Sequence, residues 1–138
     1  MTSDLLLGKQ REIKMNLVDR YCYQQFPEIE DYFEIEELEQ ASGFGSYIYH
    51  EDYFCPFVIE HYQKTEDKDF LEKVGNYIEY LITSENADMR NLASIGVIEC
   101  LIDKHFFEIA PYLKPYSKAS LKESRDRVKF DLVKWVLA

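Results

Sequence analysis

The chain has 138 residues, 46% of them hydrophobic and 15% aromatic, and a formal net charge of −10. That is ample apolar material for a core, which excludes a disordered polyanion, and the negative sign opposes binding to phosphate backbones. Cys22, Cys55 and Cys100 are odd in number, widely spaced and flanked by apolar residues, which argues for buried thiols in a reducing cytoplasm rather than a disulfide framework.

The opening stretch MTSDLLLGKQREIK holds three consecutive leucines before charge returns. It is too short and too polar for a signal peptide or a membrane span, so a cytoplasmic chain with no membrane contact is expected. Leu6, Ile13, Leu17, Val18, Tyr21 and Cys22 then support a first helix. Phe26-Pro27-Glu28 restarts the chain, with proline at a first helical position and acids in the first turn, and predicts a second helix over about residues 28–39. Ala41 to Gly45 (ASGFG) reads as a loop, and Tyr47 to Gln63 as a helix disturbed near Pro56.

Phe70, Leu71, Val74, Tyr77, Ile78 and Leu81 form one apolar stripe at helical spacing, predicting an amphipathic helix over 67–82. Met89 to Ile102 is apolar on nearly every face and should be a central helix buried between neighbours. Gly75 and Gly96 interrupt these patterns at a cost of about 1 kcal/mol each relative to alanine, which close approach of helix backbones would explain. Pro111 and Pro115 bracket a broken stretch. The capping box Ser120-Leu-Lys-Glu123 opens a last helix whose stripe is Leu121, Val128, Leu132, Trp135 and Val136. Strand signals are nearly absent. The expectation is one all-α domain over residues 1–138, a helical bundle or short HEAT-like array of antiparallel helix pairs with about six to seven helices.

FVIEHY, NYIEYL and GVIECL place Ile-Glu pairs at 59/60, 78/79 and 98/99, spacings of 19 and 20 residues. Two such units match the period of HEAT-type helical pairs, although regular helix lengths in any bundle produce similar echoes.

Charge provides the functional signal. Between Arg20 and Lys64 there is no lysine or arginine, yet the 43 intervening residues carry ten carboxylates: Glu28, Glu30, Asp31, Glu34, Glu36, Glu37, Glu39, Glu51, Asp52 and Glu60. The same stretch holds twelve of the 21 aromatic residues. Solvated helices ordinarily intersperse lysines to form i, i+4 pairs, so an acidic surface without counter-charges points to capture of a basic protein partner. Glu28, Glu30, Asp31, Glu34, Glu36, Glu37, Glu51 and Asp52 would supply steering and ion pairs, and Tyr32, Tyr47, Tyr49 and Tyr53 aromatic anchors. A nucleic-acid partner is not expected. Lys114, Lys118, Lys122, Arg125, Arg127 and Lys129 are the bases that would have to carry one, and they read as a solvated helix face.

No catalytic, cofactor or metal site is expected. His50, Glu51, Asp52, Cys55 and His61 are metal-ligand types, but the five- and eleven-residue spacings are not the i, i+4 of a shared helix site and no Cys-x-x-Cys or His-Glu-x-x-His accompanies them, which leaves exposed histidines and a buried cysteine. Gly43-Phe-Gly45 lacks the Lys-Ser or Lys-Thr and the preceding strand of a phosphate cradle. Glu79 and Glu99 lie among apolar residues and need partners; each would accept hydrogen bonds from a neighbouring helix start or from an arginine such as Arg90, the alternative being a paired acid and base.

Glu66 to Asp103, EDKDFLEKVGNYIEYLITSENADMRNLASIGVIECLID, resembles small all-helical bacterial proteins of uncharacterised families. The shared features are a helix ending in Ile-Glu, a short Asp- or Asn-containing turn, and an Arg-Asn-Leu helix ending in a second Ile-Glu. Some of those proteins lie beside polymorphic-toxin genes as immunity proteins. The resemblance implies a helical repeat-like fold and a neutralising role; it supplies no catalytic residues, and the first 60 residues lie outside it. The function expected is an acidic immunity protein that occludes a basic toxin domain such as a nuclease. The alternative is a helical scaffold binding another intracellular protein or peptide.

Overall fold

The computed structural model of the chain describes residues 12–128, with side chains through Glu123. The expected helical contribution of Leu6, the stripe through Leu132, Trp135 and Val136, and the bases Arg125, Arg127 and Lys129 lie outside the described residues or side chains. Among the described residues the chain is all-α, with no strand.

Helix α1 spans Leu17–Gln25. Asn16 caps it, its side-chain oxygen accepting the Asp19 N–H at 2.9 Å, so residues 12–16 precede the helix instead of extending it, with a tight turn from the Met15 N–H to the Ile13 carbonyl. The expected helix over 28–39 is two pieces. Pro27–Asp31 is a 3₁₀ turn anchored by buried Ile29; the chain turns at Tyr32–Glu34, and α2 runs over Ile35–Phe44. Ala41 to Phe44 therefore belong to a helix and not to a loop. The stop comes at Gly45, whose φ of 131° is open only to glycine and whose N–H returns to the Ala41 and Ser42 carbonyls.

Ser46–Ile48, Tyr49–Phe54 and Cys55–Thr65 follow one another without a break and together form α3, residues 46–65. The middle segment is π-helical, the Cys55 N–H reaching back to His50 O. It falls directly before Pro56, where the sequence predicts a disturbance: a proline ring crowds the preceding turn and brings no N–H, and the wider π turn absorbs both. Helix α4 spans Lys68–Ile82 with Asp67 as cap, as its stripe predicts, and buries Phe70, Leu71, Val74, Tyr77, Ile78 and Leu81.

Helix α5, residues 87–103, joins Ala87–Asn91, a π-helical Leu92–Glu99 and Cys100–Asp103. It packs against α3, α4 and α6 (Pro115–Val128), and so is central as expected. One side nevertheless reaches solvent at Ile95, 46% exposed. A second 3₁₀ segment, Phe107–Tyr112, contains Pro111. Helix α6 then starts five residues before the expected capping box, because Pro115 supplies the first turn and Glu79 from α4 caps it; Ser120 sits mid-helix and meets Ser94 of α5, Oγ to Oγ, at 2.7 Å.

One cluster of buried side chains runs from Met15 to Leu121. Gly75 marks a close backbone approach: a Cβ built there would collide with the Tyr112 carbonyl oxygen.

Candidate partner-binding face

The 3₁₀ turn, the start of α2 and the π segment of α3 bring part of the acidic stretch onto one surface. Tyr32 packs edge-on against Phe57 and His61, with centroids 5.3 and 5.9 Å apart, and its hydroxyl lies 2.9 Å from His61 Nδ1. Burial raises its pKa first, and the nearby charges of Glu60, Asp31 and Glu28 raise it further. Phe33 meets Tyr53 edge to face at 4.8 Å. The Tyr53 hydroxyl donates to Glu37 Oε2 at 3.3 Å, and its pKa is raised by burial, then by Glu37 and Asp52. The face is an aromatic ridge of half-buried Tyr32, Phe33 and Tyr53, with Glu28, Asp31 and Glu60 near enough to Tyr32, and Glu37 and Asp52 to Tyr53, to raise their pKa values. Glu30, Glu34 and Glu36 are exposed nearby in sequence, Glu30 accepting from the Tyr23 hydroxyl. Lys64 enters at one edge, its ammonium 4.8 Å from the Tyr32 ring centroid and 3.9 Å from Glu60.

Three candidates sit elsewhere. Tyr49 is no surface anchor; it is 0% exposed because the π segment turns Tyr49, His50 and Phe54 inward together. Its hydroxyl finds no hydrogen-bond partner, and burial followed by nearby negative charge pushes its pKa far up. Tyr47, 38% exposed, is influenced by Asp88 and Glu51 and lies over Gly96, where a Cβ would come within 3.2 Å of the ring. It lines a separate cleft of about 460 Å³ with Leu17, Val18, Met89 and Leu92, to which Asn16 and Asp88 add polar walls. Glu51 is half-buried and its charge acts on Tyr47, while its carbonyl accepts from the Cys100 thiol at 3.8 Å.

A buried polar cluster escaped the sequence reading, which takes the histidines as exposed. His50 is 0% exposed, with Nδ1 2.8 Å from the Ser46 carbonyl and Nε2 2.7 Å from the Tyr77 hydroxyl. A carbonyl can only accept, so Nδ1 carries the proton and Nε2 accepts from Tyr77. Burial lowers the His50 pKa to about 4, opposed by the Ser46 hydrogen bond. The imidazole is therefore neutral, and Asp19 Oδ1, 3.5 Å from Nδ1, gains neither an ion pair nor a hydrogen bond. Asp19 Oδ2 is well served, by Ser42 Oγ at 2.6 Å and Asn16 Nδ2 at 2.9 Å. Burial still raises the Asp19 pKa against these contacts. Register could have found both groups: His50 precedes Phe54 and Phe57 by four and seven residues, and Asp19 precedes Cys22 and Phe26 by three and seven. Asp19, His50 and Tyr77 are all buried; Asp19 joins α1 to α2 through Ser42, and His50 joins α3 to α4 through Tyr77.

Glu79 takes the helix-start partner. Its Oε2 accepts the Tyr116 N–H at 3.1 Å, and its Oε1 accepts the Ser117 N–H at 3.0 Å and the Ser117 hydroxyl at 2.7 Å. It caps α6 from α4. Glu99 is half-buried on α5. Among the described residues no three His, Cys, Asp or Glu side chains stand together as a metal site, and no helix is long and apolar enough to cross a membrane.

An all-α domain with an acidic aromatic face is the class that fold and surface define. Residues 20–128 match the domain of unknown function DUF7674, and the chain belongs to that family. No curated protein and no solved structure matches it.

Proposed function

We propose that the chain is an acidic, cytoplasmic protein-binding protein, an immunity protein that neutralises a basic toxin domain, such as a nuclease, by covering it. The observation that carries this reading is the ridge Tyr32-Phe33-Tyr53 flanked by Glu28, Asp31, Glu60, Glu37 and Asp52. Half-buried rings beside carboxylates suit a lysine- or arginine-rich surface, the rings contributing contact area and the acids long-range attraction. The Ile-Glu pairs at 59/60, 78/79 and 98/99 fall in the second halves of α3, α4 and α5, which supports a HEAT-like relationship to the immunity proteins the sequence resembles.

The test compares the intact chain with a variant carrying Glu30→Gln, Asp31→Asn, Glu34→Gln and Glu37→Gln. Both are used for capture from the source lysate at low and moderate salt, followed by association kinetics on the captured protein. A basic partner held by the intact chain, associating at least about tenfold faster than with the variant at low salt, supports the reading. Equal retention and equal rates would refute the electrostatic role. The cleft beside Tyr47 favours a second reading, a scaffold that seats a peptide between α1 and α5, and a salt-insensitive partner would point there.

A further inference from the structure

Two cysteines 45 positions apart are brought side by side by the packing of α3 on α5. Cys55 Sγ lies 3.6 Å from the Gly96 carbonyl oxygen, the carbonyl one turn before Cys100. Cys100 Sγ lies 3.8 Å from the Glu51 carbonyl oxygen, the carbonyl one turn before Cys55. Each sulfur thus reaches across to the turn that holds the other, and the two thiols are near enough for each to shift the ionisation of the other. The backbone repeats the symmetry. Cys55 is the first residue after the π segment Tyr49–Phe54, and Cys100 is the first after the π segment Leu92–Glu99. Such segments are uncommon, and a shift of their hydrogen bonds toward α register moves the residue that follows.

The two thiols differ in the way that a redox pair requires. Cys55 is 0% exposed, whereas Cys100 is partly open to solvent. The neighbouring Cys55 thiol, and then the nearby Lys104, lower the Cys100 pKa against the burial that opposes them; burial pushes Cys55 up. The accessible sulfur is the one held closer to thiolate, with a protonated thiol beside it.

We propose that Cys100 and Cys55 form a reversible peroxide-sensitive disulfide, Cys100 being the sulfur attacked by oxidant and Cys55 the one that resolves it. Hydrogen peroxide is the oxidant. The Cys100 thiolate attacks one peroxide oxygen; an S–O bond forms as the O–O bond breaks, and the departing hydroxide takes a proton from solvent to leave as water. Cys55 sulfur then attacks Cys100 Sγ of the sulfenic acid. The S–S bond forms as the S–O bond breaks, and the second hydroxide leaves as water with the Cys55 proton. Two thiols are oxidised and one peroxide is reduced to two waters. The cross-link ties the π segment bearing Glu51, Asp52 and Tyr53 to α5, and a dithiol reductant reopens it.

The experiment uses the full chain carrying Cys22→Ala, because trypsin leaves Cys22 and Cys55 on one peptide, residues 21–64, and Cys100 on residues 91–104. The reduced protein is treated with stoichiometric hydrogen peroxide, alkylated and analysed intact and after digestion. The expected result is a monomer lighter by about 2 Da, a cross-linked pair of these two peptides, and full reversal by dithiothreitol. In a Cys55→Ala chain, Cys100 should accumulate as a dimedone-trapped sulfenic acid and be alkylated more slowly at neutral pH, a change that mere loss of packing would not produce. The proposal is overturned by dimers linked through Cys100, by Cys100 oxidation that leaves Cys55 a free thiol, or by no loss of thiols while the chain stays folded.

Discussion

His50 makes stability depend on pH in a direction opposite to that expected of so acidic a chain. Its pKa falls from 6.5 in the unfolded chain to about 4 in the folded one, because the imidazole is buried between Ser46 and Tyr77. A depressed folded pKa means the unfolded state binds the proton first. The stability that neutral His50 represents is complete above pH 6.5 and is lost as pH falls toward 4. At 1.36 kcal/mol per unit, the shift amounts to about 3 kcal/mol in full and about 2 kcal/mol between pH 7.5 and pH 5. Asp19 acts in the opposite sense. Its raised pKa makes the folded chain take up a proton before the unfolded one, which recovers stability as pH falls through the folded value and below. Urea unfolding of the parent and of His50→Gln between pH 7.5 and 5 separates these effects. Both share every other titrating group, including the relief of self-repulsion, so the difference in slope belongs to His50. The parent should lose about 2 kcal/mol more than the variant over this range. Parallel slopes, together with an NMR titration of His50 at its ordinary value, would refute the assignment of a neutral buried imidazole.

Removing the inter-helix cap with Glu79→Ala should lower stability by about 2 kcal/mol, since two N–H groups and a hydroxyl lose a charged acceptor. Glu72→Ala, which breaks only the exposed contact with Lys114, should cost less than about 1 kcal/mol in the same denaturant titration, and equal losses would refute the capping role. Gly75→Ala would gain about 1 kcal/mol in an open helix, but here the new Cβ meets a backbone carbonyl that cannot rotate away. The thermal midpoint should therefore fall, and a rise would show that α4 and the 3₁₀ segment can separate at no cost.

Which parts of this fold could be read from sequence follows from how local each cause is. The α4 stripe was legible because its period, its Asp67 cap and its length all lie within sixteen residues, and nothing distant overrides them. The tight contact at Gly75 was legible as an anomaly, a poor helix former inside a strong helix, although Tyr112 as the neighbour was not. The start of α6 was misplaced because its strongest local motif, Ser120 to Glu123, is not its cap; the acceptor is Glu79, from 37 to 38 positions away. Glu79 itself had been readable as a group needing a helix start, so the two halves of one interaction were visible separately. The break at Tyr32–Glu34 left no proline or glycine to mark it. His50 was misread because its neighbours Glu51 and Asp52 suggest surface, whereas Phe54 and Phe57 on the same stripe determine its side.

The acidic stretch divides along the same line, and the division sharpens what the surface can do. A run of carboxylates in sequence gives net charge without shape; folding decides which of them share a face. The chain bends at Tyr32–Glu34, so acids of the 3₁₀ turn, of α2 and of the π segment meet around Tyr32 and Tyr53, while the tyrosine two positions from Tyr47 is consumed by the core. Mutual repulsion among these groups opposes folding, and the burial of Ile29, Leu38, Phe54 and Phe57 directly beneath them offsets it. If the charge served solubility alone, spreading it over the surface would give the same benefit with less repulsion. Concentrating it around half-buried rings gains something only when a cation arrives, because a basic side chain then removes the repulsion and covers the rings in one step. A partner that engages this face should therefore stabilise the chain more at low salt than at high salt, whereas a ligand of the Tyr47 cleft should stabilise it nearly equally at both.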